Sequence, residues 1–456
     1  MYHRVTRCQG KPTVQEETVS SQQRVHAIID DGRVSGQQLL VIALCFLFNM
    51  LDGFDITAMA VVAGAVGAEM SITPDRLGWI FSFALAGMMA GAMFLAPVSD
   101  IIGRRKTIIV SILVLGVSVL LTATASSLTE FIVLRFLAGL GAGAMLASQA
   151  TLADEYSPDR HRALSVAIVT SGYPAGAMMT SVAAGAIMPE FGWRGMFWFG
   201  GGLTLCMVVI ALLLIPESLK YLLERRPQNA LQRINEILGR LGKAPLDDLP
   251  DTPTTGATRS AGFVATLLKL GAREHRRTTL WLWSTFFLSF TALYFLLSWV
   301  PKLVEDAGFT AGDGRSAFFL MNLGAIIGIY TLGAFSTRLK LTNLIALFFL
   351  LSAIGMVIYA AAPARLGLLL VIIFFVGLFQ QGGFTAMYSA AAKSYPTNVR
   401  STGIGWAIGL GRFGAVIGPA AAGYLIAGGL GIAANFVIFA IPMAVSAVLA
   451  YRLHIR

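Results

Sequence analysis

Residues 39–65 read LLVIALCFLFNMLDGFDITAMAVVAGA, an apolar run of bilayer length interrupted near its middle by two carboxylates, Asp52 and Asp55. A helix needs roughly 20 apolar residues to cross a hydrocarbon core. An ionisable side chain at such depth costs at least about 2.5 kcal/mol. The run therefore predicts both the solvent of the chain and a place where its chemistry sits.

Reading outward, 56% of the 456 residues are hydrophobic and 13% are charged, against about 25% charged in soluble domains. Apolar stretches of spanning length recur at 39–65, 77–98, 107–126, 130–152, 163–187, 195–215, 278–300, 316–336, 342–362, 366–392, 401–427 and 431–451. The expected fold class is an all-α integral membrane protein, with twelve transmembrane helices in two six-helix bundles. Residues 1–38 form a polar tail, 39–215 the first bundle, 216–277 a central polar segment, 278–451 the second bundle and 452–456 a short tail. Within the central segment, Leu231, Ile234, Leu238 and Leu241 fall at helical spacing between Pro227 and Leu241, which predicts an amphipathic surface helix. Residues 245–262, rich in Pro, Thr, Asp and Gly, read as a linker.

A net charge of +10 would suggest nucleic acid as the partner of a soluble protein. Sorting the 34 Lys and Arg residues by loop removes that reading. Arg76, Arg194, Lys302, Arg315 and Arg365 fall on one side of the predicted membrane, Arg135 and Arg412 lie within spans, and the other 27 share the opposite side. This asymmetry follows the positive-inside rule and puts both termini in the cytoplasm. The partner is a lipid bilayer, not nucleic acid. Arg4, Arg7, Lys11, Arg24 and Arg33 precede the first run without a small-residue cleavage site, so the run reads as a retained span. Cys8, Cys45 and Cys206 are scattered, with neither metal-ligand spacing nor a disulfide framework.

The halves echo each other. Tyr156-Ser157-Pro158 followed by Arg162 recurs as Tyr395-Pro396 followed by Arg400, an offset of about 238 residues. Duplication of this kind builds alternating-access transporters, with the site near the midplane between repeats.

The ionisable residues predicted at depth are few. Asp52 and Asp55, at i and i+3, share one helical face, and Gly53 permits another backbone to approach. Such a doublet would titrate as a unit. His3, His26, His161, His275 and His454 all fall in tails or loops, which leaves carboxylates to carry a coupled proton. The alternative is structural: the aspartates cap a broken helix or pair with a buried arginine. Arg135 could hold them ionised, bind an anionic cargo, or snorkel to the interface. Glu155, at the other end of the same span, adjoins Asp154, Asp159, Arg160 and Arg162, so it reads as part of the cytoplasmic gate. Arg412, flanked by glycines well inside the second half, suits a carboxylate ligand. Tyr173, Tyr294, Trp299, Gln380 and Gln381 are placed either to stack on and hydrogen-bond an aromatic acid or to serve as ordinary packing. No cofactor is expected beyond the coupling proton.

The turn Ser99-Asp100-Ile101-Ile102-Gly103-Arg104-Arg105-Lys106 resembles the signature between helices two and three of the major facilitator superfamily. The likeness extends from about residue 40 to 450, although Ala96 and Ile101 depart from the usual glycine and basic residue. It implies a cytoplasmic gate that includes Asp100, Gly103, Arg104 and Arg105, to which Arg162 and Arg400 after spans four and ten are added. Within that superfamily, Asp52-Gly53-Phe54-Asp55 and Gly405-Trp406-Ala407-Ile408-Gly409 running into Gly411-Arg412-Phe413-Gly414 and Gly418-Pro419 resemble the aromatic acid:proton symporters. The resemblance implies uptake of benzoate-like or hydroxybenzoate-like acids across a bacterial inner membrane, with Asp52, Asp55, Arg135 and Glu155 in coupling or transport. The working unit is expected to be a monomer.

Three other readings compete. A drug:proton antiporter of the same fold would carry Gly-x-x-x-Gly-Pro in helix five, where this chain has Gly172-Tyr173-Pro174-Ala175-Gly176. A sugar or organic-ion porter has less use for two midplane arginines. A transporter-like sensor usually adds a soluble domain, for which the tails leave little room. Enzyme motifs such as a metal cluster, nucleophile elbow or phosphate loop are not found.

Overall fold

The computed structural model describes residues 34–249, 276–395 and 400–453. All regular structure among the described residues is helical. The long helices are α1 (Gly36–Met70), α2 (Pro74–Ala90), α3 (Arg104–Thr122), α4 (Leu128–Tyr156) and α5 (Arg162–Leu214) in the first half. Two short helices follow, α6 (Leu219–Arg225) and α7 (Ala230–Arg240). The second half holds α8 (Arg276–Asp306), α9 (Ala311–Phe335), α10 (Leu341–Ala361), α11 (Leu366–Ser394), α12 (Arg400–Ala427) and α13 (Ile432–Tyr451).

Eleven of these are long and apolar enough to cross a membrane. The 53-residue α5 would be about 80 Å long as a straight rod, more than twice the thickness of a hydrocarbon core. It breaks at Gly192, whose φ of 61° and ψ of −166° lie outside the helical region. A side chain would strain that conformation, so glycine marks the turn. The two limbs of α5 are the fifth and sixth crossings, and the total among the described residues is twelve, as the apolar runs predict. The protein is a multi-pass membrane protein.

Local chemistry sets the helix ends. Ser35 and Gln38 form a reciprocal capping box at the start of α1, and Thr310 and Asp313 do the same for α9. Pro74 opens α2, where its missing N–H costs nothing. Near its end α2 loosens into a π turn over Gly91–Leu95 and a 3-10 turn over Ala96–Val98, where Pro97 cannot continue the α-helical ladder. The amphipathic helix predicted in the central segment is α7, which buries Ile234, Ile237 and Leu238. The predicted linker runs beyond the described residues from 250 onward.

The duplication is visible in the packing. α1 packs on α5 as α8 packs on α12, α2 on α4 as α9 on α11, and α3 on α4 as α10 on α11. The two halves meet through α2 against α12 and α5 against α9, pairs that the same internal symmetry exchanges. Glycines set the closeness of these contacts. A Cβ on Gly87, Gly91, Gly139 or Gly143 would lie within 2.1 Å of a carbonyl oxygen across the α2–α4 seam, and Gly324, Gly328 and Gly377 repeat the pattern between α9 and α11. Lipid chains solvate apolar side chains as well as other side chains do, so helices in a bilayer hold together by close backbone approach, and small residues permit it.

We call the side where α1 begins the near side and the side where it ends the far side. The α2–α12 seam lies in the far half. There Ser82 donates to the Val416 carbonyl at 2.6 Å, Trp79 Nε1 donates to the Tyr424 hydroxyl at 3.0 Å, and Gly78 faces Pro419 and Gly423.

Replacing Gly139 with alanine puts a methyl carbon 1.9 Å from the Ala84 oxygen and should cost roughly 1–3 kcal/mol by overpacking. The expected result is a lower melting temperature of the full chain in detergent. Gly202→Ala, where a Cβ meets nothing within 4 Å, should leave that temperature unchanged or slightly raised.

Candidate functional site

The carboxylate doublet of α1 divides into two different environments. Asp55 accepts a hydrogen bond from Arg135 Nη1 at 2.9 Å, while Arg135 Nη2 donates to Thr122 at 3.2 Å. Asp55 is 2% and Arg135 1% exposed, so the pair lies wholly inside the first bundle. The Phe197 ring covers the guanidinium at 5.0 Å. Phe197 belongs to an aromatic group with Phe131 and Trp193. Trp193 Nε1 in turn donates to Glu69 at 2.8 Å, and Arg194 ion-pairs with the same carboxylate. A continuous set of contacts thus anchors the buried pair to the far end of the bundle.

Asp52 is completely buried, and neither of its oxygens has a hydrogen-bond partner among the described residues. Its position follows from Gly53: a Cβ there would lie 2.1 Å from the Tyr173 carbonyl, so α1 and α5 touch backbone to backbone at this level. That contact sets Tyr173 beside Asp52. From the second half, Arg412 comes within electrostatic reach of Asp52 without forming an ion pair or a hydrogen bond among the described residues, and its Nε is buried without a partner. The hydroxyls of Tyr173 on α5 and Tyr294 on α8 meet across the two bundles, both within reach of Asp52 and Arg412.

An aromatic wall stands around Arg412. Phe290 stacks on Tyr294 with ring centres 6.0 Å apart and meets Phe384 edge-on at 4.6 Å. Tyr388, which is within electrostatic reach of Arg412, packs against Phe286 at 5.6 Å and Phe384 at 5.7 Å. Gly411 makes room for this wall, because a Cβ there would lie 2.6 Å from the Phe290 ring. The site therefore presents one guanidinium, one unpartnered carboxylate, two facing hydroxyls and a bank of aromatic rings, contributed by both halves of the duplication.

The remaining candidates are distributed elsewhere. Gln380 accepts from Ser352 at 3.2 Å and donates to the Ser289 carbonyl at 3.3 Å, which places its amide within second-bundle packing. Gln381 is half-buried and shares a helical face with Phe384 and Tyr388. Trp299 sits in the far seam, where its Nε1 donates to the Pro419 carbonyl at 2.9 Å and its ring meets Phe81 edge-on at 5.3 Å. Tyr388, Phe286, Phe290 and Phe384 are additions that the sequence reading lacks. Their spacing on α8 and α11 is legible, but aromatic residues facing a site and facing lipid share that spacing.

Glu155 lies at the near side, apart from the central group. It ion-pairs with Arg104 and accepts from Ser218 at 2.6 Å, while Arg104 also reaches Asp100 at 3.3 Å. Gly103 adopts a φ of 101°, and a Cβ on it would lie 2.4 Å from the Glu217 carboxylate, which accepts from the Arg105 backbone N–H at 3.0 Å. Arg105 Nη2 donates to the Leu212 carbonyl at 2.6 Å. These contacts tie the turn after α2 to the ends of α4 and α5. Arg162 pairs with Asp154 at 3.3 Å just beyond. The Arg400 side chain lies outside the described residues.

Residues 43–366 and 318–455 match the Major Facilitator Superfamily. The chain belongs to that family. Major Facilitator Superfamily members are transporters, and this protein is a transporter rather than an enzyme. It is 30% identical to the 4-hydroxybenzoate transporter PcaK of Pseudomonas aeruginosa over 86% of this chain and 87% of that one. It is 29% identical to the gallate transporter of Pseudomonas putida over 91% of each chain. These relatives agree with the resemblance to aromatic acid transporters drawn from the α1 and α12 motifs. Among solved structures, the inward open conformation of the xylose transporter XylE from E. coli superposes with a TM-score of 0.70 at 16% identity, covering 91% of this chain and 96% of that one, which shows the shared fold.

Leaving Asp55 without its cation in this Major Facilitator Superfamily bundle should be costly, since breaking a buried pair typically costs about 3–5 kcal/mol. Arg135→Met is expected to lower the melting temperature strongly. Adding Asp55→Asn, which removes the orphaned charge, should recover most of the loss. Equal melting temperatures for Arg135→Met and the double variant would show that the pair is not a closed electrostatic unit.

Proposed function

We propose that the protein is a proton-coupled symporter that imports a small aromatic carboxylate across a bacterial inner membrane, working as a monomer with its near side in the cytoplasm. The observation that carries this reading is the contrast between the two aspartates. Asp55 is matched by Arg135 within one bundle. Asp52 faces Arg412 across the bundles without closing a contact.

Charge balance gives the mechanism. In the empty site Asp52 and Arg412 offset each other. When a cargo carboxylate takes the guanidinium in a two-pronged hydrogen-bonded pair, Asp52 loses its counter-charge in a place where an isolated anion is expensive. It then takes a proton. The loaded site holds one cation, one anion and one neutral acid, so its net charge equals that of the empty site and the bundles can reorient at similar electrostatic cost. Cargo without a proton, or a proton without cargo, leaves a net charge at mid-depth and holds the transporter back. One proton per carboxylate follows. The aromatic wall of Phe286, Phe290, Phe384 and Tyr388 suits a ring attached to that carboxylate. The names of the relatives, transporters of 4-hydroxybenzoate and gallate, support the same cargo class.

Reconstituted into proteoliposomes, the wild-type protein should accumulate labelled 4-hydroxybenzoate under an inward proton gradient and ignore sugars and amines. Asp52→Asn fixes the site in a state resembling the protonated one. Exchange of internal for external cargo should persist in it, while gradient-driven accumulation disappears. Undiminished accumulation would refute the coupling role. Arg412→Lys keeps the charge but loses the planar fork, so KM should rise at least about tenfold, the equivalent of about 1.4 kcal/mol of a charged hydrogen bond. An unchanged KM would place Arg412 in the scaffold.

A further inference from the structure

Away from the central site, a second carboxyl group lies between the halves. Glu305, the last residue but one of α8, is half-buried against α1 at Gly64. A Cβ on Gly64 would lie 2.4 Å from Glu305 Oε2, and the three heavy atoms nearest to it all belong to that carboxyl group. The glycine is a notch in the first half, and a side chain of the second half fills it. Both residues lie toward the far ends of their helices, so the contact joins the α2–α12 seam in sealing the far side.

What α1 offers at this level decides which form of the carboxyl fits. The helix continues to Met70, so the N–H groups around Gly64 are engaged in its ladder and only carbonyl lone pairs are left over. A carboxylate accepts hydrogen bonds only, whereas a protonated carboxyl carries one O–H donor. The helix can receive the neutral acid and has nothing to give the anion. The near side shows the opposite case. Glu217 is seated on Gly103 in the same way, but there the chain turns, and the backbone N–H groups of Arg105 and Ser218 each donate to Glu217 Oε1 at 3.0 Å. The charges around Glu305 do not replace such donors. Lys302 pairs with Asp306 at 2.8 Å, Asp313 caps the start of α9, and Glu69 is held by Trp193 and Arg194. Arg315 of α9 is within electrostatic reach but forms no ion pair with Glu305 among the described residues. α12 beyond Arg412, α11 before Lys393 and α13 up to Tyr451 carry no charged residue.

We infer that Glu305 is a second proton site, one that latches the far side: protonated, it seats on Gly64 and holds α8 against α1; ionised, it leaves the notch for water and the far side opens. The proton is taken from the far side and returned to it, so it is not carried across and one proton per cargo still holds. A group that binds its proton more tightly in the closed form favours closing at low pH, and that preference is lost as pH rises. Acid on the far side, the condition that drives import, then also favours closing over a loaded site.

The test is the distance between two spin labels on the purified full-length protein, one on each half at the far side. They are attached through Thr124→Cys and Ala364→Cys, both exposed positions, with Cys8, Cys45 and Cys206 replaced by alanine. The parent also carries Asp52→Asn, which removes the open central carboxylate, so the response to pH is read apart from the symport reading and its failure leaves that reading standing. From mildly acidic to mildly alkaline buffer, the ratio of short-distance to long-distance molecules should fall at least about tenfold. Glu305→Gln imitates the protonated form and should keep the short distance in both buffers. Glu305→Asp keeps a titrating group but draws it back from the notch, and should favour the long distance in both. A parent that does not respond to pH, or a response that survives in either variant, overturns the inference.

Discussion

Oil does not solvate charge, so every ionisable side chain inside the bilayer must find its compensation within the protein. The rest of this structure is arranged around that constraint. The doublet on α1 meets it in two ways within a single helical turn. Asp55 is compensated locally by Arg135 within its own bundle, and that guanidinium is further held by Thr122 and covered by Phe197. Asp52 is compensated at longer range by a cation on the other half of the molecule. A closed pair holds a bundle together. An open pair across an interface that moves is sensitive to whatever enters between its members.

The duplicated scaffold makes this division possible by keeping the helix framework symmetric while the chemistry is not. Gly176 on α5 presses against Met50 and Phe54 of α1, and Gly414, one repeat offset away on α12, presses against Phe287 of α8. The same offset carries Asp52 onto Phe290. One half therefore presents a carboxylate where the other presents an aromatic ring, and both face the interface. A site for an amphipathic anion needs such an asymmetric lining, with a polar pole and a ring-binding wall on one framework.

Glu155 illustrates how charge at the membrane boundary differs from charge at depth. With Arg104, Asp100 and Ser218 it ties the turn after α2 to the ends of neighbouring helices. It touches none of the central residues. The Glu217 carboxylate seated against Gly103 shows why that turn needs a glycine with positive φ: a side chain there would fill the space the carboxylate occupies.

Hydropathy alone determined the twelve crossings, the break between the fifth and sixth, and the two-bundle plan, because a spanning helix must satisfy its backbone locally and show lipid an apolar surface over a known length. The few charges at depth were equally legible, since their rarity is itself the signal. Which aspartate is closed and which is open was not, because i and i+3 positions on one helix are equivalent until their neighbours are known. Nor could the chain order tell Gln380, held by Ser352 and Ser289, from Gln381 one residue on, or mark Tyr388 and Phe384 as neighbours of Arg412. Those distinctions come from rotation of each helix about its axis and from contacts between residues far apart in the chain, 80 positions for Asp55 and Arg135 and 91 for Gln380 and Ser289. Only the packed bundles supply them.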